Sequence, residues 1–215
     1  RWRYVFEVRD VWPAVPVGLG VLRNWIAIAL AEWLERLIYR WAEAIVTLSP
    51  GMTELVRSVC PGHRRVVTIP NCADTDLFRP DEDGAVVRRK NGWEGRFVCM
   101  HTGTMGMVNG LDIVVRAADQ CRGDPDYLFV LIGDGREKER LIRDRNALGL
   151  TNLVILDGVP KCELPTYVAA CDVGLMTVAP FPVLERNSAN KFFDYLSAGK
   201  PVLLNYGGWQ RDVLQ

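Results

Sequence analysis

Histidine is scarce in this chain, and a basic excess is missing. Only His63 and His101 occur in 215 residues, far apart and without ligand-type neighbours, so a protein-built metal site is not expected. Lys plus Arg and Asp plus Glu stand at 26 each, whereas a dedicated nucleic-acid binder normally carries a basic excess. None of the six cysteines forms a C-x-x-C pair, and several sit inside apolar runs where a small hydrophobe serves. A secreted disulfide scaffold would be shorter and denser in cysteine, so a reducing cytoplasm is the expected compartment. A long apolar run is missing too. Between Leu19 and Val46 the longest uncharged stretch is Asn24–Ala31, and Glu32, Glu35, Arg36 and Arg40 follow it; this is too short to span a bilayer. Trp25, Trp33, Leu37 and Trp41 there share a helical stripe expected to pack into a core, with peripheral contact with an anionic inner-membrane surface as the alternative.

What is present is apolar content of 49%, ample for a buried core, in short runs that alternate with helical patterns. Strands are expected at Tyr4–Arg9, Ala44–Leu48, Val66–Pro70, Phe97–Thr102, Tyr127–Ile132, Leu153–Leu156, Asp172–Met176 and Pro201–Leu204. Helices are expected over roughly 20–43, 50–60, 110–122, 135–149, 162–171 and 189–198. Continuous apolar strands separated by helices predict α/β layers with mainly parallel sheets. The charged, turn-rich stretch around Asp81-Glu-Asp-Gly84 reads as a join, giving one lobe over 1–80, a linker over 81–95 and a second lobe over 96–215. The chain begins at Arg1 rather than Met and stops where a helix is about to start, as expected of an internal piece of a longer protein with both lobes incomplete.

The chemistry signals fall in the second lobe. Ser188 is expected to cap a helix whose first turn carries Ala189, Asn190 and Lys191; free N–H groups there, with a lysine beside them, form an anion cradle. Two turns on, Asp194 offers a carboxylate that can accept hydrogen bonds from a diol. Three strands end in glycine turns: Gly103-Thr-Met-Gly106, Gly133-Asp-Gly135 and Asp157-Gly-Val159. None is a strict G-x-G-x-x-G, but all lie at carboxyl strand ends, where open α/β sheets bind ligands. Phosphate cradle and diol acceptor together suggest a nucleotide, and in particular a nucleotide sugar.

The ordered set Ile69-Pro-Asn71, Asp74, Phe78-Arg-Pro80, Gly103, Gly133-Asp-Gly135, Gly158-Val159, Tyr167, Cys171-Asp172, Asn190-Lys191, Asp194-Tyr195 and Gly199-Lys-Pro201 resembles glycosyltransferase family 4, retaining enzymes of the GT-B fold with two Rossmann-like lobes. Upstream, Glu7-Val-Arg-Asp-Val-Trp-Pro13 and Thr47-Leu-Ser-Pro-Gly-Met52 resemble a subgroup that builds bacterial surface polysaccharides and includes aminosugar transferases. The resemblance implies an acceptor-side lobe over 1–80 and a donor-binding lobe over 96–215. It implies that Asp194 holds the donor ribose hydroxyls and that Ala189, Asn190 and Lys191 present amides to the diphosphate. Val159 would meet the base through its backbone, and Gly103, Thr104 and Gly106 would line the diphosphate and sugar pocket. Lys191 and Asp10 are the catalytic candidates. No cofactor or metal is implied: a nucleoside-diphosphate sugar, UDP favoured, is the substrate, and the acceptor is lipid-linked or a glycan.

Two departures stand out. Where the family pattern places a first glutamate, Arg186 stands, with Glu185 one place out of register. Where relatives carry Arg and Lys after the first donor-lobe strand, Thr104 or Met105 and Asn109 stand, so Lys191 or an arginine such as Arg186 would supply the positive charge. A GT-B sugar-nucleotide epimerase and a non-catalytic nucleotide-binding module stay open as alternatives, and this stretch by itself is expected to bind donor without turnover.

Overall fold

The computed structural model describes residues 3–215; Arg1 and Trp2 lie outside the described residues. The chain divides into two compact units. One runs to Asn71 and takes in Pro180–Ser188 and Tyr206–Gln215; the other comprises Cys72–Ala179 and Ala189–Asn205.

The first unit begins with β1 (Val5–Val8), α1 (Ala14–Gly18), α2 (Trp25–Trp41), β2 (Ala44–Thr47), α3 (Pro50–Val59) and β3 (Val66–Thr68). Its strands pair in parallel in the order β1-β2-β3. α3 starts sharply because Ser49 accepts from Met52 N–H at 3.1 Å and Pro50 occupies the first turn, the position where a missing N–H costs nothing. Tyr39, Ala42, Ile45 and Val56 form its core with Val8. The stripe on α2 is a correction to the expected core packing. Ala31 and Tyr39 are buried, but Trp25, Trp33 and Trp41 are more than half exposed. α2 is apolar on more than one side, so spacing alone could not say which side turns inward.

The second unit follows with α4 (Ala85–Asn91), β4 (Phe97–Thr102), α5 (Asp112–Gln120), β5 (Tyr127–Ile132), α6 (Lys138–Leu148), β6 (Leu153–Leu156), α7 (Leu164–Ala169), β7 (Val173–Met176), α8 (Asn190–Ser197) and β8 (Val202–Leu204). A final helix, α9 (Trp209–Val213), returns to the first unit. All five strands of the second unit run parallel in the order β6-β5-β4-β7-β8. β4 and β5 are buried at every position but the first, because helices cover both faces. One face packs Cys99, Phe129, Leu131, Leu153 and Leu175 against α5 and α6. On α8, Phe192 and Tyr195 are fully buried, each worth roughly 1.5–3 kcal/mol of transfer free energy. Tyr195 also donates to the Met100 carbonyl at 2.8 Å.

The stretch 81–95 differs from the expected linker, since α4 forms within it. Asp83 accepts from Ala85 N–H at 2.8 Å, Val87 is buried, and Arg88 donates to the Asp172 carboxylate at 2.6 Å and the Ala170 carbonyl at 2.9 Å. One buried valine among charges is too weak a period to read, but the ion pair fixes the helix.

Candidate donor site

Strand order reverses at β4, whose neighbours β5 and β7 are reached by connections that move in opposite directions. Such a switch point leaves a crevice beyond the carboxyl ends of the strands. A pocket of about 490 Å³ opens there, lined by Thr102, Gly103 and Thr104, by Asn109 and Leu164, and by Asn190, Lys191 and Asp194.

α8 supplies its charged wall. The helix starts at Asn190, and its N-cap is Ala189, which makes no side-chain cap bond. The expected Ser188 cap is therefore corrected: Ser188 precedes the cap, and its buried hydroxyl has no partner among the described residues. Asn187 and Ala189 are extended, which moves the cap position on to a methyl side chain. The donors a serine would have occupied stay free: Asn190 and Lys191, in the first turn, have no helical carbonyl behind their N–H groups. The cradle is more open than a capped helix would be.

Lys191 and Asp194, three residues apart, share one face of α8. The Lys191 ammonium lies 3.2 Å from His101 Nε2 and makes no ion pair with a carboxylate among the described residues. Burial alone lowers it to about 7. His101, fully buried near the end of β4, is pushed well below its usual range by burial and then by the Lys191 charge. It is thus a neutral imidazole whose Nε2 accepts from Lys191. Asp194 is raised to about 6 by burial, with Lys161 opposing, and its carboxylate accepts no hydrogen bond among the described residues. Lys161 and His101 were not singled out from sequence; each acts through a partner distant in the chain.

Gly103 (φ +116°) ends β4 with Lys191 Nζ 3.5 Å from where its Cβ would stand. Thr104 is exposed and bonded through its carbonyl to Asn109 Nδ2 at 2.7 Å, while Met105 is fully buried in the core. Gly106 opens the short 3-10 turn Met107–Asn109. The Gly133-Asp-Gly135 turn braces the first turn. A Cβ on Gly133 would overlap the Gly103 carbonyl, and Met105 N–H donates to the Asp134 carbonyl at 2.8 Å. Asp134 in turn accepts from Gly158 N–H at 3.0 Å, which fixes the third turn and leaves the Val159 backbone N–H and C=O unpaired among the described residues. Gly103, Thr104, Asn190, Lys191 and Asp194 line the pocket; Gly106, Val159 and Ala189 are not among its lining residues. Asp10 belongs to the first unit, just after β1. So do Glu185 and Arg186, on the 3-10 turn Pro182–Arg186, where the Ser49 hydroxyl donates to the Arg186 carbonyl.

Parallel α/β sheets of this kind are the architecture of the GT-B glycosyltransferases that are this chain's structural neighbours. The chain belongs to the family described as glycosyl transferases group 1, whose model matches residues 96–214, more than half of the sequence. It is 28% identical over 209 residues to WbjE of Pseudomonas aeruginosa, named as a glycosyltransferase, covering 94% of this chain and 50% of that protein. It is 23% identical over 206 residues to TuaH of Bacillus subtilis, named for a glycosyltransferase role in teichuronic acid biosynthesis, covering 93% and 49%. The crystal structure of Anabaena HepE in complex with UDP and glucose superposes with a TM-score of 0.78 at 22% identity, over 99% of this chain and 55% of that one. The chain thus spans about half the length of the curated relatives it matches.

Proposed function

We propose that the full-length protein is a retaining glycosyltransferase of the family 4 type. In this reading it moves a sugar, an N-acetylated aminosugar among the candidates, from a UDP donor to a lipid-linked or glycan acceptor during surface-polysaccharide assembly at the cytoplasmic face of the membrane. The observation that carries the reading is Lys191, a buried ammonium without a carboxylate partner among the described residues, set at the free amides of α8 and one turn from Asp194, which is likewise unpaired among them. A buried charge is costly unless something neutralises it, and a diphosphate does so. Family membership and the UDP and glucose in HepE support the same donor class.

In this reading Ala189, Asn190 and Lys191 hold the diphosphate through backbone amides. Asp194 accepts from the ribose diol, Val159 offers its free backbone groups to the base, and Gly103, Thr104 and Gly106 border the sugar. As the bond to the anomeric carbon breaks, negative charge builds on the leaving diphosphate, and the amides and the Lys191 ammonium stabilise it without a metal. Front-face attack assisted by the donor phosphate gives retention. The unit that runs to Asn71 is the acceptor side in this reading, with Asp10 the candidate group on it, and the unit of Cys72–Ala179 and Ala189–Asn205 is the donor side, in place of the expected bounds of 1–80 and 96–215.

The test is transfer from a panel of UDP-sugars by the full-length protein, with a lipid-linked acceptor and product anomers assigned by NMR. Transfer with the donor's anomeric configuration, lost in Lys191→Met, is the expected result. Tight UDP-sugar binding without transfer to any acceptor would favour the non-catalytic module, and inverted product would exclude retention.

A further inference from the structure

We propose that His101 is a positioning residue of the donor site: its buried imidazole accepts from the Lys191 ammonium and holds it over the Gly103 turn. This role rests on the donor reading above and adds a buried group that the reading does not use. Among the described residues lining the pocket, Lys191 is the one cation, so the site depends on where that ammonium points. A lysine side chain is rich in rotamers, and fixing it costs affinity at each binding event unless the protein has fixed it already. The Nε2 of His101 lies 3.2 Å from Lys191 Nζ, and the whole side chain is buried on β4. On the Gly103 side, Nζ stands 3.5 Å from where a Cβ would be. His101 itself is not among the pocket's lining residues, so it acts on a bound ligand only through Lys191.

The chemistry of the acceptor matters. A carboxylate at this place would neutralise the ammonium and compete with a diphosphate for it. An apolar side chain would leave a buried N–H unpaired. A neutral imidazole does neither: it takes one of the three N–H donors of the ammonium and leaves the charge and two donors for a ligand. The surroundings keep the ring neutral. Burial acts first and the Lys191 charge second, against the backbone of Leu175 on β7 and of Thr104, which favour a protonated ring. On Lys191 burial is the one cause of the shift. Asp194, one turn further along α8, is governed by burial and by Lys161. An acceptor at Nζ favours the ammonium over the neutral amine, so removing it moves the titration of Lys191 to lower pH.

The test is titration calorimetry of UDP-glucose against the full-length protein across pH, with thermal unfolding as a control. The variants are His101→Leu, His101→Gln, Lys191→Met, and His101→Leu combined with Lys191→Met. His101→Leu weakens binding about tenfold, and its loss of affinity on the alkaline side begins about one pH unit lower than in the wild type. His101→Gln, whose Oε1 replaces Nε2 as acceptor, recovers most of that loss. Added to Lys191→Met, His101→Leu costs nothing further, because the two residues act as one unit. His101→Phe, which keeps a planar ring without an acceptor, gives the same comparison if the leucine variant does not fold. The positioning role is overturned if the two losses add in full, or if His101→Gln binds no better than His101→Leu. It is equally overturned if His101→Leu binds as the wild type does with an unmoved pH profile. In each case weaker binding by Lys191→Met leaves the donor site standing. Absence of UDP-glucose binding by the wild type would instead remove the donor reading, and the role of His101 with it.

Discussion

Lys191 and His101 cannot both carry charge at 3.2 Å, and burial presses each toward neutrality. Lys191, at about 7 in the fold against an ordinary value near 10.4, has its charged form disfavoured by folding. The ligand-free protein therefore gains stability from this group as pH rises from about 7 towards the unfolded value, and has least of it below 7. Donor binding runs the other way, because the diphosphate needs the ammonium. Asp194, at about 6, must be ionised to accept from the ribose. Affinity for UDP-glucose, which has no titrating phosphate in this range, is expected to peak between about pH 6 and 7 and to fall up to tenfold per unit above that window. Calorimetric titration across pH checks this; a flat profile would remove Lys191 from the site. Lys191→Met is expected to weaken UDP-glucose binding by about 10- to 150-fold, the range for a hydrogen bond to a charged group, and to leave the ligand-free melting temperature unchanged or raised.

At the scale of elements, the donor pocket depends on close contacts that keep its first turn in place. Gly133 (φ +149°) lies where a Cβ would overlap the Gly103 carbonyl, and Gly174 on β7 lies directly under the Tyr195 ring of α8. Gly133→Ala is expected to destabilise the fold by about 1–3 kcal/mol or more, seen as a lower urea midpoint, and to weaken UDP-glucose binding because the Gly103 turn must move. Such strand ends were largely legible in the sequence: β4, β5 and β6 run over the expected residues, because short, mostly apolar runs followed by a glycine turn leave little choice. α1 and α4 were not, since neither presents a clear apolar period. The helix of the site was foreseen, but its cap was not. Ser188 looks like a cap until the extended backbone at Ala189 moves the helix start by one residue. His101 was not read as a site residue because its partner lies 90 residues away, and the tryptophan stripe of α2 was expected to face a core because a helix with two apolar sides does not announce which one is buried.

On the scale of the whole molecule, zero net charge means that anion binding must come from local placement rather than a general positive field. Donor affinity should consequently respond to salt far less than that of a basic phosphate binder, reflecting one buried ammonium and helix amides that are screened little. The chain matches about half the length of its relatives. In the proposed reading transfer therefore belongs to the full-length protein, while the 215-residue chain carries most of what grips the donor. Sugar transfer assayed on both should appear only with the full-length protein; turnover by the shorter chain alone would contradict this division.

The most direct test of the donor site is titration calorimetry of UDP-glucose against the full-length protein near pH 6.5, with Lys191→Met and Asp194→Asn beside the wild type and thermal unfolding of all three as a control. Saturable binding by the wild type, weakened at least about tenfold by each substitution with the melting temperatures intact, is the expected outcome. Equal affinity in all three proteins would contradict the assignment of this pocket.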